Sequence, residues 1–157
     1  MTTITLAELT QRSSIDVLDH LDLTLTIPII EGTQAQGDLI VVPSHRLPAV
    51  EPRPWATWRR VPPTGVEMLR GGAGGNTHSL VADAGTCEWT VEVRDPLMLA
   101  IGMLRATSPV YLIHPEHGGT GIAAGTFIVR RQREALRRPW TPDPAWGPSP
   151  MFALVAD

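Results

Sequence analysis

The segment His114-Pro115-Glu116-His117-Gly118-Gly119 places two imidazoles and a carboxylate within four residues, between an apolar run and a glycine turn. Imidazole and carboxylate are among the few side chains that ligate transition metals or move protons near neutral pH. His78, which follows a second glycine-rich stretch, supplies a third ring. In an extended chain His114 and His117 point to opposite sides, because successive side chains alternate. Pro115 and Gly118 are the residues able to bend the segment and bring the rings together. With that bend, His78, His114 and His117 form a candidate site for zinc, iron or manganese, with Glu116 as a further ligand. If the site is catalytic, the chemistry is metal-assisted hydrolysis or a related reaction, with Glu116 as general base. The competing reading is structural: a histidine that ends a strand hydrogen-bonds the backbone of the turn after it.

The elements that must position these residues are mostly strands. Residues 5–20 carry Leu6, Leu9, Ile15, Leu18 and His20 at roughly helical spacing, which predicts one or two short helical turns with Asp16 and Asp19 exposed. Leu23, Leu25, Ile27 and Ile29 then alternate with polar residues and Pro28, the pattern of a half-buried edge strand. Gly37-Asp38 turns into a second strand over 39–42, ended by Pro43. Residues 43–63 hold six prolines together with Trp55 and Trp58, and predict a long stiff loop. Strand-like runs follow at 66–69, 78–82, 87–93, 97–104, 110–114 and 126–131, separated by turn residues such as Asp95-Pro96 and Gly118-Gly119. Gly102 favours a strand over a helix for 97–104. The chain closes on a proline- and tryptophan-rich tail. Close spacing of short strands predicts a mainly β fold, a small barrel or sandwich, with a short N-terminal helical segment and an extended C-terminal tail.

Composition sets outer limits. The chain has 157 residues, 43% of them apolar and 18% charged, which suits one folded domain rather than a disordered chain. A net charge of −3 gives no global attraction to nucleic acid or to an anionic membrane. All 13 basic residues are arginine, a bias expected of a GC-rich genome and unrelated to the fold. Cys87 is the lone cysteine, which excludes an intrachain disulfide and a cysteine-rich zinc knuckle. It reads as a buried thiol rather than a nucleophile. The apolar runs are too short to cross a bilayer, and no basic-then-apolar leader opens the chain, so a cytoplasmic or virion setting is expected and a signal-directed one is not.

Two other stretches invite a functional reading. Gly71 to Gly75 lacks the lysine and hydroxyl of a phosphate-binding loop and the spacing of a dinucleotide fingerprint, and reads as a hairpin loop beside His78. Arg130-Arg131-Gln132-Arg133-Glu134 leaves a strand with Arg131 and Arg133 on one face, a candidate partner-binding pair. Nucleic-acid binding wants aromatics among the arginines, and only Trp140 is near, so it is not expected.

Four elements of the chain resemble a family of small uncharacterised proteins from actinobacteria and their phages. Gln36-Gly37-Asp38 with its following apolar strand resembles the family's opening, and Gly75-Asn76-Thr77-His78 its Gly-His-x-His element. His114-Pro115-Glu116-His117 matches His-x-Glu-His. Gly125-Thr126-Phe127-Ile128-Val129-Arg130-Arg131-Gln132-Arg133-Glu134 resembles Gly-x-Tyr-x-Val-x-Arg-Gln-Arg-Glu-Tyr, with Phe127 for the first tyrosine and Ala135 for the last. The resemblance covers roughly 36–135. It implies mobile-element ancestry and no established activity. Asn76 stands where the pattern has its first histidine, which reduces a four-histidine set to three and an amide, a poor ligand for zinc or iron.

The expected organisation is an N-terminal extension over 1–35, a β-rich core over 36–135 and a C-terminal tail over 136–157. The leading expectation is a non-catalytic structural or interaction protein of a phage or mobile element, such as a virion component. It would self-associate or bind other protein subunits through its arms, with Trp55, Trp58, Trp140 and Trp146 packing on neighbours. The alternative is a metal- or small-ligand-binding protein built on His78, His114 and His117, with Glu116 as base should it prove a hydrolase.

Overall fold

The computed structural model describes residues 3–18, 21–70, 77–136 and 151–154. One helix, α1 (Leu6–Ser13), precedes the strands β1 (Ile29–Ile30), β2 (Gln34–Gln36), β3 (Leu39–Pro43), β4 (Glu51–Pro52), β5 (Arg59–Arg60), β6 (Val66–Arg70) and β7 (Thr77–Val81). They are followed by β8 (Cys87–Thr90), β9 (Val93–Arg94), β10 (Ala100–Ala106), β11 (Val110–His114), β12 (Gly118–Ile122), β13 (Gly125–Arg131), β14 (Arg133–Leu136) and β15 (Met151–Leu154). Five strands make one sheet in the order β1-β12-β11-β7-β6, and six make a second in the order β2-β3-β13-β10-β8-β5. Neither closes on itself, so the fold is a sandwich and not a barrel.

Alternation builds the core. Leu80 of β7 and Val110 and Leu112 of β11 face Leu39 and Val41 of β3, Leu104 of β10, Phe127 and Val129 of β13, and Trp89 of β8. The outer face of the five-stranded sheet, with Val81, Tyr111 and Ile113, is covered by Leu6 and Leu9 of α1 and by Ile4 and Ile27. The outer face of the six-stranded sheet, with Met103 and Ile128, packs under Val50, Leu47 and Trp58 of the proline-rich segment. The helix starts at a capping box: the Glu8 N–H donates to Thr5 Oγ1 at 3.2 Å and the Thr5 N–H to Glu8 Oε2 at 2.7 Å.

Several elements differ from the sequence expectation, each for a local reason. The alternating run from Leu23 does not form a strand. Asp22 winds it into a turn by accepting the Thr24 N–H at 2.9 Å, Leu23 and Leu25 are exposed, and only Ile29–Ile30 joins a sheet, pairing parallel with β12 at an edge. The run from Leu97 starts its strand at Ala100. The Asp95 carboxylate gathers the N–H groups of Leu97, Leu99 and Ala100 and holds the chain in a turn until then, with Met98 at φ +54°. Residues 87–93 break after Thr90, and Val93–Arg94 leaves to pair with Glu51–Pro52. The long proline loop is less bare than expected, carrying that short ladder, a 3-10 turn at Ser44–Arg46 and the edge strand β5. Gly118-Gly119, expected as a turn, opens strand β12. Within the expected C-terminal tail, Met151–Leu154 is extended and pairs antiparallel with Arg133–Leu136. No described helix is long and apolar enough to cross a membrane.

Candidate functional site

Leu112 lies opposite Leu80, and Ile113 opposite Ser79. One further step of this antiparallel register sets His114 across from His78, both on the inner face of the sandwich at its end. The two rings lie with centroids 4.4 Å apart, and each residue is only 1% exposed. The turn through Pro115 and Glu116 then folds His117 back over His114, at 4.5 Å between centroids. Gly118 makes this return possible: it takes φ +78° while sitting directly opposite His114 across the hairpin. Glu116 and His117 are exposed, so the cluster runs from a buried ring to the surface.

The second sheet grips the innermost ring. The β2–β3 hairpin turns through Gly37-Asp38, with Gly37 at φ +56° in the first loop position, where a two-residue hairpin most needs glycine. That turn holds Gln36 and Asp38 on either side of His78. Nδ1 of His78 lies 3.0 Å from Gln36 Oε1, and Nε2 lies 2.9 Å from Asp38 Oδ1. The Gln36 amide nitrogen donates to the Leu112 carbonyl at 3.0 Å, so its oxygen is the atom turned to the ring and Nδ1 of His78 is the donor. Both ring nitrogens of His78 are therefore occupied by side chains of the opposing sheet. Gln132 closes the arrangement from outside: its amide donates to the carbonyls of Gly37 at 3.0 Å and Leu39 at 3.2 Å, and its N–H to that of Asp38 at 2.8 Å.

His114 is engaged differently. Its Nδ1 accepts the Glu116 N–H at 3.1 Å, which is the backbone contact that the structural reading of this motif anticipated. One ligand atom from each of His114, Glu116 and His117 lies within 4.8 Å of the others. His78 stacks on this group but gives its nitrogens to Gln36 and Asp38.

The remaining sequence candidates lie apart. Arg130 donates to Asp95 Oδ1 at 2.8 Å and braces the turn before β10. Arg131 ends β13 half-buried, and its N–H donates to the Leu99 carbonyl at 3.0 Å. Arg133 starts β14, and its side chain lies outside the described residues, as do Trp140, Trp146, Asn76, the Gly71–Gly75 loop, Asp19 and His20. Cys87 is buried, and burial with the neighbouring Glu88 carboxylate pushes its thiol up to about 12, which keeps it protonated. Sequence reasoning missed Gln36, Asp38 and Gln132 as site residues. The available signal was polar residues flanking a hairpin glycine at positions where alternation requires burial.

A family model described as a domain of unknown function matches residues 35–132, well over half the chain. The chain belongs to DUF8820. The matched span of the DUF8820 domain holds Gln36, Asp38, His78, the His114–His117 turn and Gln132, so the whole cluster is internal to the family unit. No curated protein and no solved structure matches the chain.

Proposed function

We propose that this DUF8820 protein is a binding protein whose site is the histidine cluster, and that it takes a divalent transition metal through His114, Glu116 and His117. The observation that carries this reading is the convergence of two imidazoles and a carboxylate within 4.8 Å, on one tight turn open to solvent. The Gln36–His78–Asp38 network beneath is a rigid floor for that turn. Zinc bonds of about 2.0–2.2 Å put neighbouring donor atoms near 3.4 Å, inside the 4.8 Å span that holds these three. Three protein donors, one fewer than a closed structural site supplies, predict a weak site, with a dissociation constant of about micromolar order rather than below it. Metal content by mass spectrometry, on protein purified without chelator or affinity tag, tests the reading. Near one equivalent of zinc, iron or manganese, lost in His117→Ala, supports it. No metal in either protein, with both folded, rejects it.

A second reading rests on exposed apolar side chains: Trp55 is 66% exposed, Val91 67% and Met98 89%. Large apolar side chains left at the surface are available to an interaction protein that associates with its own copies or other subunits. The motif resemblance is what supports a component of an actinobacterial phage or other mobile element. Light scattering separates the two. Large symmetric complexes that disperse when residues 139–157 are removed, and persist in His117→Ala, favour assembly.

A further inference from the structure

Next to the cluster lies a pocket of about 160 Å³ whose walls are Leu6, Leu21, Leu25, Ile27, Pro28 and His117. All but His117 come from the segment preceding residue 35, which the DUF8820 match does not include. That segment docks directly on the histidine turn: the Leu18 N–H donates to the Pro115 carbonyl at 2.8 Å. Gly118 and Gly119 form a floor without side chains. A Cβ on Gly119 would come within 3.0 Å of Leu9 Cδ2 and 3.1 Å of Ile27 Cδ1.

We infer that the N-terminal segment converts the family's histidine site into a pocket for a small carboxylic acid, its short aliphatic chain lying among the leucines and its head reaching His117. The inference rests on the metal reading for the strength of the head contact. An apolar cavity of roughly 150 Å³ accommodates a benzene-sized molecule, and the present pocket is of that size. Its polar rim consists of His117 and two N-terminal residues, Asp22 and Thr26. The Asp22 carboxylate is tied to Thr24, accepting from its N–H at 2.9 Å and its hydroxyl at 2.6 Å. His117 is thus the group that faces the head, and an ion held by it accepts a carboxylate as an added ligand, where an ammonium cannot ligate.

Isothermal titration of the full chain, zinc-loaded and metal-free, with hexanoate, acetate and hexylamine tests this. Hexanoate should bind the zinc-loaded protein at least about tenfold more tightly than acetate, because its extra methylenes leave water. Leu25→Asp, at a side chain 61% exposed, should abolish that preference while zinc content stays at the wild-type level, and Leu25→Met should keep it. Equal affinity for hexanoate and acetate, or tighter binding of hexylamine, overturns the inference. A chain-length preference for the acids in a protein that takes up no zinc supports the pocket and rejects the metal reading instead.

Discussion

At the scale of single residues, the buried polar groups sort into two kinds. Asp38 and His78 hold each other in the space between the sheets, at 3% and 1% exposure. Replacing Asp38 by Ala removes the carboxylate that holds Nε2 of the buried His78, and should lower unfolding stability by about 1–3 kcal/mol in urea titrations. Zinc uptake should weaken as well, since the floor under His114 loosens. Asp95 is purely architectural. Burial works to raise its pKa, but the N–H groups of Leu97 and Ala100 and the Arg130 guanidinium outweigh it and hold the carboxyl below the usual range. A depressed folded pKa gives stability that is complete above the unfolded value of about 3.9 and is lost as pH falls through the folded one. Asp95→Asn should therefore cost about 1–3 kcal/mol at pH 7, and the gap from wild type should narrow below about pH 4, read from thermal unfolding at both pH values. Cys87 should resist thiol reagents at pH 8 in the folded protein and react at the rate of unfolding. The residues that could do chemistry were readable from type and spacing alone, because His114-Pro115-Glu116-His117 is a local pattern. The partners of His78 were not, because Gln36 and Asp38 reach it across a gap of 40 or more residues that only the sheet order closes.

At the scale of elements, short apolar runs bounded by turn residues located the strands that lie in the core, such as Val110–His114, which the structure reproduces residue for residue. Alternation failed where a side chain competes for the backbone. Asp22 and Asp95 each capture N–H groups and delay or abolish a strand that the apolar pattern suggested. It failed also for Gly118–Ile122, whose glycines carry no alternating signal. Those glycines serve close approach: a Cβ on Gly121 would sit 2.7 Å from the Pro28 carbonyl oxygen, so glycine there admits the parallel edge strand. Gly102 is more constrained. A Cβ would lie 2.3 Å from Trp89 Cζ2 and 2.5 Å from the Thr90 carbonyl oxygen, and a backbone group in a sheet cannot yield. Gly102→Ala should destabilise the protein by about 1–3 kcal/mol and shift the Trp89 fluorescence, as seen in urea titrations followed by tryptophan emission.

At the scale of the whole molecule, the described residues of the two main sheets and their coverings stack as four layers: the N-terminal helix and its loop, the five-stranded sheet, the six-stranded sheet, and the proline-rich segment. The histidine cluster occupies one end of the gap between the sheets, where residues from both meet. Removing residues 1–30 would uncover Val81, Tyr111 and Ile113 on the five-stranded sheet. The truncated chain should bind hydrophobic dyes and self-associate, measurable by dye fluorescence and light scattering. The layer order also bears on how the chain is made. Strand β3, complete at residue 43, lies between β2 and β13, and β13 is complete only at residue 131. Strand β1 likewise waits for Gly121 and Ile122. During synthesis at roughly 5–20 residues per second, the early strands emerge many seconds before the central strands that will cover them. Pairings so distant in sequence fold on the slow side of the scale, in milliseconds to seconds. A nascent chain halted before β13 therefore presents unpaired edges to chaperones, and the turn that grips His78 lacks its Gln132 brace until the last strand of the sandwich has left the ribosome.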